Sequence, residues 1–173
     1  MKGRRTAAIA AAAFLALGLA ACSPTVALDP APDAADPACA GVTVRLPDEI
    51  DEDAAKFPQR ETNAQATGAW GEPTVVVLHC GVAEPPPTSE LPCNTATDSA
   101  GNSIDWLVDD SDDPIFTFTT YNKKPAVSVT IDYDSIGSAS VLDAISTAVS
   151  TLPENGHHCV GLDDVDPTAT PGA

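Results

Sequence analysis

Hydrophobic positions along this chain fall into short alternating runs divided by turn-forming residues, a pattern that predicts strands more often than helices. The clearest run is Thr74–Cys80, Thr-Val-Val-Val-Leu-His-Cys, whose continuous apolar stretch predicts a central strand buried on both faces. Within it Val76, Leu78 and Cys80 share one face, and Val75, Val77 and His79 the other. Pro85-Pro86-Pro87 ends regular structure after it, and Ile104–Leu107 predicts another short strand. Ile115–Tyr121 and Ala126–Tyr133 predict a hairpin across Asn122-Lys123-Lys124-Pro125. Its second arm alternates cleanly: Val127, Val129, Ile131 and Tyr133 face the core, while Ser128, Thr130 and Asp132 meet solvent.

Two stretches carry helical spacing. One opens at Ser138 or Ser140, with Ser140-x-x-Asp143 approximating a capping box. Its stripe is Val141, Leu142, Ile145, Val149 and Leu152, and Pro153 with Asn155-Gly156 stops it. The other runs from Asp48-Glu49 to Lys56, with acids in its first turn, a late lysine, Pro58 as its stop, and Ile50, Ala54 and Phe57 on its buried side. Val42, Val44 and Leu46 just before it alternate like a strand, which leaves a strand there as the competing reading. The expected fold is therefore α+β: an antiparallel sheet of about four strands with helices packed on one face, stabilised by two disulfides.

The two ends of the chain follow other rules. Lys2, Arg4 and Arg5 precede an apolar run from Ala7 to Leu19 that closes in Leu19-Ala20-Ala21-Cys22. That run falls short of the roughly 20 apolar residues a bilayer span needs, but it suits the apolar region of a signal peptide. The closing tetrad resembles the lipobox of bacterial lipoprotein precursors. The resemblance implies cleavage after residue 21 and a diacylglyceryl group on the Cys22 sulfur. The alternative is an ordinary secretory signal cut at an Ala-x-Ala site. Residues 22–37, rich in Pro, Ala and Asp, read as a solvated tether, residues 38–162 as the folded domain, and residues 163–173 as a disordered tail. The tail's Pro-Thr-Ala-Thr-Pro stretch is a compositional candidate for O-glycosylation.

Charge narrows the partners. The formal charge is −17, and three of the eight basic residues lie in the first five positions. The remainder cannot neutralise phosphates, so a nucleic-acid partner is not expected, nor is a polybasic contact with anionic lipid. Contact with the bilayer should come through the Cys22 anchor. Apart from Cys22 there are four cysteines, Cys39, Cys80, Cys93 and Cys159, an even set suited to an oxidising compartment. Three pairings are open, of which Cys39–Cys80 with Cys93–Cys159 is preferred. Each bridge would stabilise the fold by roughly 4 kcal/mol in the chain-entropy model.

Trp70-Gly71-Glu72-Pro73, then Val75–Leu78, then Cys80-Gly81-Val82 resembles a family of actinobacterial lipoproteins carrying domain of unknown function 3515. Asp105-Trp106 and Phe116-Thr117-Phe118-Thr119 fit the same pattern, so the resemblance covers roughly residues 38–160. It implies an exported, membrane-associated protein and assigns no activity, substrate or catalytic residue.

Candidate chemistry is thin. His157-His158-Cys159 suggests a metal site, but adjacent histidines diverge and a disulfide would occupy the sulfur, so no metal and no cofactor is assigned. Asp109-Asp110-Ser111-Asp112-Asp113 lacks the glycine and glutamate of a calcium loop: Pro114 and Thr120 stand at those places, so it reads as a solvated acidic loop. His79 reads as a satisfied histidine of its strand rather than a catalytic base. Trp70 and Trp106 read first as core, with a recognition surface formed with His79 as the alternative. No Gly-x-Ser-x-Gly elbow, Ser-x-x-Lys pair or His-Glu-x-x-His helix occurs, and no catalytic residue is assigned.

The expected role is a non-enzymatic binding or adaptor module on the outer face of the cell membrane, meeting an envelope protein or cell-wall material. An envelope enzyme drawing on His79 or on the acids Asp105, Asp132 and Asp134 is the first alternative. A small-ligand or cation receptor is the second.

Overall fold

Alternation governs far more of the chain than its clearest runs suggest. The computed structural model describes residues 24–160. The strands are β1 (Glu49–Glu52), β2 (Ala55–Arg60), β3 (Thr67–Trp70), β4 (Val76–Val82), β5 (Cys93–Thr97), β6 (Ser103–Asp112), β7 (Ile115–Thr120) and β8 (Ala126–Asp132). They form one antiparallel sheet in the order β1-β2-β3-β4-β8-β7-β6-β5. Two short helices, α1 (Pro37–Thr43) and α2 (Ser138–Val149), complete the described elements. The expected four-stranded α+β arrangement is thus overturned in favour of a mostly-β fold. Eight strands at about 4.8 Å spacing span about 34 Å, whereas a twelve-residue helix is about 18 Å long, so these helices do not form a layer.

The predicted helix at 48–56 is instead the β1–β2 hairpin. Ile50 and Phe57 are two helical turns apart in sequence, but they are also direct cross-strand partners. Asp53 takes the left-handed conformation at the turn, φ 52°, which Asp tolerates better than most residues. Lys56 meets Glu49 and Asp51 across the hairpin, so the charge order attributed to a helix dipole serves strand pairing. The competing strand at Val42–Leu46 is also absent; Val42 lies inside α1.

Residues 24–36 do not form a solvated tether. Val26 N donates to Glu61 O at 2.8 Å, Leu28 N to Asn63 Oδ1 at 2.7 Å, and Asp33 N to Gly81 O at 2.9 Å. Ala34 is buried in the core. Asp36 then caps α1, accepting from Ala38 N at 2.8 Å, with Pro37 in the first turn. The signal peptide, Cys22 and residues 163–173 lie outside the described residues.

The core lies on one side of the sheet. Trp70, Val76, Ile131 and Phe116 are successive cross-strand partners, as are Leu78, Val129, Phe118 and Val108. Val42 of α1 and Val141, Ile145 and Val149 of α2 join the same cluster. α2 draws its cap from far away, since Gly137 N donates to Glu52 Oε1 at 2.9 Å and the Ser140–Asp143 box is not used. Cys39 is bonded to Cys80 and Cys93 to Cys159, the preferred connectivity.

Candidate functional site

The other side of the sheet carries a different chemistry. Reading across strands, one row runs Thr67, His79, Ser128, Thr119, Leu107, Cys93. The next row runs Ala69, Val77, Thr130, Thr117, Asp109. His79, Ser128 and Thr119, with Val77, Thr130 and Thr117 beneath them, are half-buried side by side at the middle of the sheet. Strand alternation produces this face directly. Core residues of β4, β7 and β8 alternate with ones that point away, and apart from Gly81, Ile115 and Asp132 near the strand ends those positions hold hydroxyls, a valine and one imidazole. The continuous apolar run of β4 suggested burial on both faces; Val77 and His79 are instead half exposed on this one.

Charge avoids the middle of the face. The chain carries twenty-five acids, yet in these two rows only Asp109, toward the sheet edge, bears a carboxylate. Thr117 and Thr130 face each other at 3.4 Å between hydroxyl oxygens, and Thr67 Oγ1 donates to Ala64 O at 2.8 Å. Among the described residues, Ser128, Thr119 and His79 make no side-chain hydrogen bond within the fold. All three are half-exposed, so a bond from outside the fold can reach them.

One end of this face is bordered by the C-terminal segment. Asp105, buried beside Leu107, accepts from Thr95 Oγ1 at 2.6 Å and from Cys159 N at 2.9 Å, and so fixes that segment together with the Cys93–Cys159 bond. His158 Nδ1 lies 3.7 Å from Asp105 Oδ2 and is largely exposed. The His157 ring leans on Tyr121 with centroids 5.1 Å apart, and its buried Nδ1 has no partner. Leu91, Leu107, Tyr121, His158 and Val160 line an open cleft of about 260 Å³ at this border. Together the hydroxyl rows and the cleft offer neutral hydrogen-bonding groups beside an aromatic ring, the means to hold a polar, uncharged chain or surface.

The remaining candidates are dispersed. Trp70 and Trp106 are both buried in the core, so neither presents a recognition surface with His79. Trp70 Nε1 donates to Pro47 O at 2.9 Å, while Trp106 Nε1 is buried without a partner. Asp105 and Asp132 stand beside Tyr121 and Ile115, at opposite ends of β7 and about 20 Å apart along the strand. Asp132 accepts from Asp134 N and Ser135 Oγ to close the turn after β8. Asp105 therefore shares no site with Asp132 and Asp134. Asp109–Asp113 form the exposed β6–β7 hairpin, where the Ser111 hydroxyl and backbone hold the Asp109 carboxyl below its usual range. Among the described residues, no group of three or more His, Cys, Asp or Glu is placed to hold a metal ion. The hydroxyl rows were missed by motif reasoning because no motif marks them, although the Ser128, Thr130 alternation was visible.

The family model described as "Protein of unknown function (DUF3515)" matches residues 6–156. No curated protein and no solved structure matches the chain.

Proposed function

Because the chain belongs to the DUF3515 family of proteins of unknown function, we propose a role from its own chemistry. It is a lipoprotein exported and anchored through Cys22 to the outer face of the cell membrane. There it works as a non-enzymatic adaptor, using the open hydroxyl face to hold an uncharged polar partner in the envelope. The observation that carries this reading is the half-exposed, charge-free middle of this face in an otherwise strongly acidic protein. Supporting it are the Leu19-Ala20-Ala21-Cys22 tetrad and two disulfides suited to an oxidising compartment. The neutral hydroxyls favour a partner rich in hydrogen-bonding groups, a protein surface or a wall polymer, over a charged one.

The test is capture from intact cells by crosslinking a tagged chain. Three forms are compared: the unaltered protein, Cys22→Ala, and Thr119→Lys with Ser128→Lys. The expected result is a defined envelope component captured by the first, and lost from both others although both fold. Equal capture by the lysine form would remove the face from the account, and equal capture by Cys22→Ala would remove the anchor.

A further inference from the structure

The two disulfides sit in opposite settings. Cys39 and Cys80 are both 0% exposed and join α1 to β4 within the core cluster. Cys93 and Cys159 are half-buried, and both line the open cleft of about 260 Å³ beside Leu91, Tyr121, His158 and Val160. A thiol arriving from solvent reaches this second bond without opening the core, and has no such path to the first.

What the second bond holds is short and separable. Asn155 is fixed several times over: its N donates to Asn122 O at 3.2 Å and its Nδ2 to Tyr121 O at 3.1 Å. Gly156 follows with φ +87° and nothing within 4 Å of where a Cβ would stand, which leaves a free pivot. Residues 157–160 add no member to the core cluster, whose last residue is Leu152. They are held by the Cys93–Cys159 bond, by the Cys159 N–H and the His158 ring at the Asp105 carboxylate, and by the His157 ring against Tyr121. Leu107 belongs to the open face yet is only 3% exposed, and it shares the cleft wall with Cys159 and Val160.

We propose that the Cys93–Cys159 bond is a thiol-exchange site for a protein dithiol, and that its reduction releases residues 157–160 from the sheet. One thiolate of the dithiol attacks Cys93 Sγ; a mixed disulfide forms as the Cys93–Cys159 bond breaks and the Cys159 sulfur leaves as thiolate. The second thiol, deprotonated, attacks its own neighbour's sulfur in the mixed disulfide, and Cys93 leaves as thiolate. Two electrons pass to this protein, the two thiol protons pass through solvent to Cys93 and Cys159, and the dithiol ends as a disulfide. The core stays folded with the Cys39–Cys80 bond intact, while the released segment uncovers Leu107 and Tyr121 at the end of the hydroxyl row. The exchange chemistry is independent of what the open face binds.

The test treats the oxidised full chain with dithiothreitol in buffer without denaturant, after N-ethylmaleimide has blocked any thiol already free. Isotope-coded alkylation at timed intervals, read by peptide mass spectrometry, gives the rate at each cysteine. Tryptophan emission follows the core, since Trp70 and Trp106 are both buried in it. Cys93 and Cys159 should react at least about tenfold faster than Cys39 and Cys80, with the emission unchanged. Hydrogen exchange of the protein reduced at this bond alone should then quicken across 157–160, with β4 and β8 still protected. Equal rates at all four cysteines, or reduction only as the emission shifts, overturns the exchange site, because the bond then opens only by unfolding. Selective reduction that leaves exchange at 157–160 unchanged overturns the release.

Discussion

Replacing Gly81 by alanine tests the seating of residues 24–36 more sharply than deleting them would. Gly81 has φ +92° and is buried, and a Cβ built there meets Asp33 C at 2.4 Å and Ala34 N at 2.5 Å. Backbone atoms at that distance must move. Gly81→Ala therefore carries two penalties. The positive φ costs a residue with a Cβ about 1–2 kcal/mol. Displacing the segment forfeits the bond from Asp33 N to Gly81 O, worth about 1 kcal/mol net. It also forfeits part of the burial of Ala34, on the order of 1 kcal/mol. The expected loss is about 3–4 kcal/mol, a large share of a typical domain's stability. Gly101→Ala supplies the control. Gly101 has φ +88°, but a Cβ there meets nothing within 4 Å, so only the conformational penalty of about 1–2 kcal/mol applies. Urea unfolding of the oxidised variants measures both, and the difference between them isolates the close approach. If the two variants lose the same stability, residues 33–34 do not lie against β4.

Three further outcomes follow from the same geometry. Asp105→Ala removes the carboxylate that accepts from Thr95 and Cys159; it should cost about 3 kcal/mol in denaturant unfolding, and a loss under 1 kcal/mol would contradict the buried placement. Replacing Cys93 and Cys159 together by serine opens a link across 66 residues and should destabilise by about 4 kcal/mol, read as a lower unfolding midpoint without reductant. The Ser146 hydroxyl, then the Asn102 side chain, hold the Asp98 carboxyl down from 3.8 to about 2. Its contribution to stability is thus fully present above the unfolded value and is lost as pH falls from there toward about 2. Ser146→Ala should raise the Asp98 pKa in an NMR titration and move acid unfolding to higher pH; an unchanged titration would show that the Ser146 contact does not form.

The hairpin of β7 and β8 was legible in the sequence because Val127, Val129 and Ile131 alternate without interruption and the turn between the strands is polar. The α2 stripe was legible for the same reason at helical spacing. Where spacing was ambiguous, propensity misled. Ile50 and Phe57 satisfy a helix and a hairpin equally, and only the pairing of β2 with β3 decides between them. The Asp36-Pro37 pair was a helix-start signal, but it sat in a Pro- and Ala-rich stretch that resembled a tether. What ties that stretch down is remote in sequence: Arg60, Asn63 and Gly81. Local composition carries no trace of such contacts. The open face was half legible: alternation told which residues look outward from β8, but not that β3, β4 and β7 would continue the same neutral chemistry beside it. The two disulfides were expected from an even cysteine count, which does not by itself select a pairing.

Site-specific photocrosslinking on intact cells reports which side chains touch the partner. A photoreactive residue is placed in turn at Thr119 and Ser128 on the open face, and at Lys56 in β2 and Asp110 in the β6–β7 hairpin. One defined envelope adduct is expected from Thr119 and Ser128, and none from Lys56 or Asp110. The same adduct formed equally from all four positions, or from Lys56 and Asp110 alone, would show that the hydroxyl face is not the binding surface.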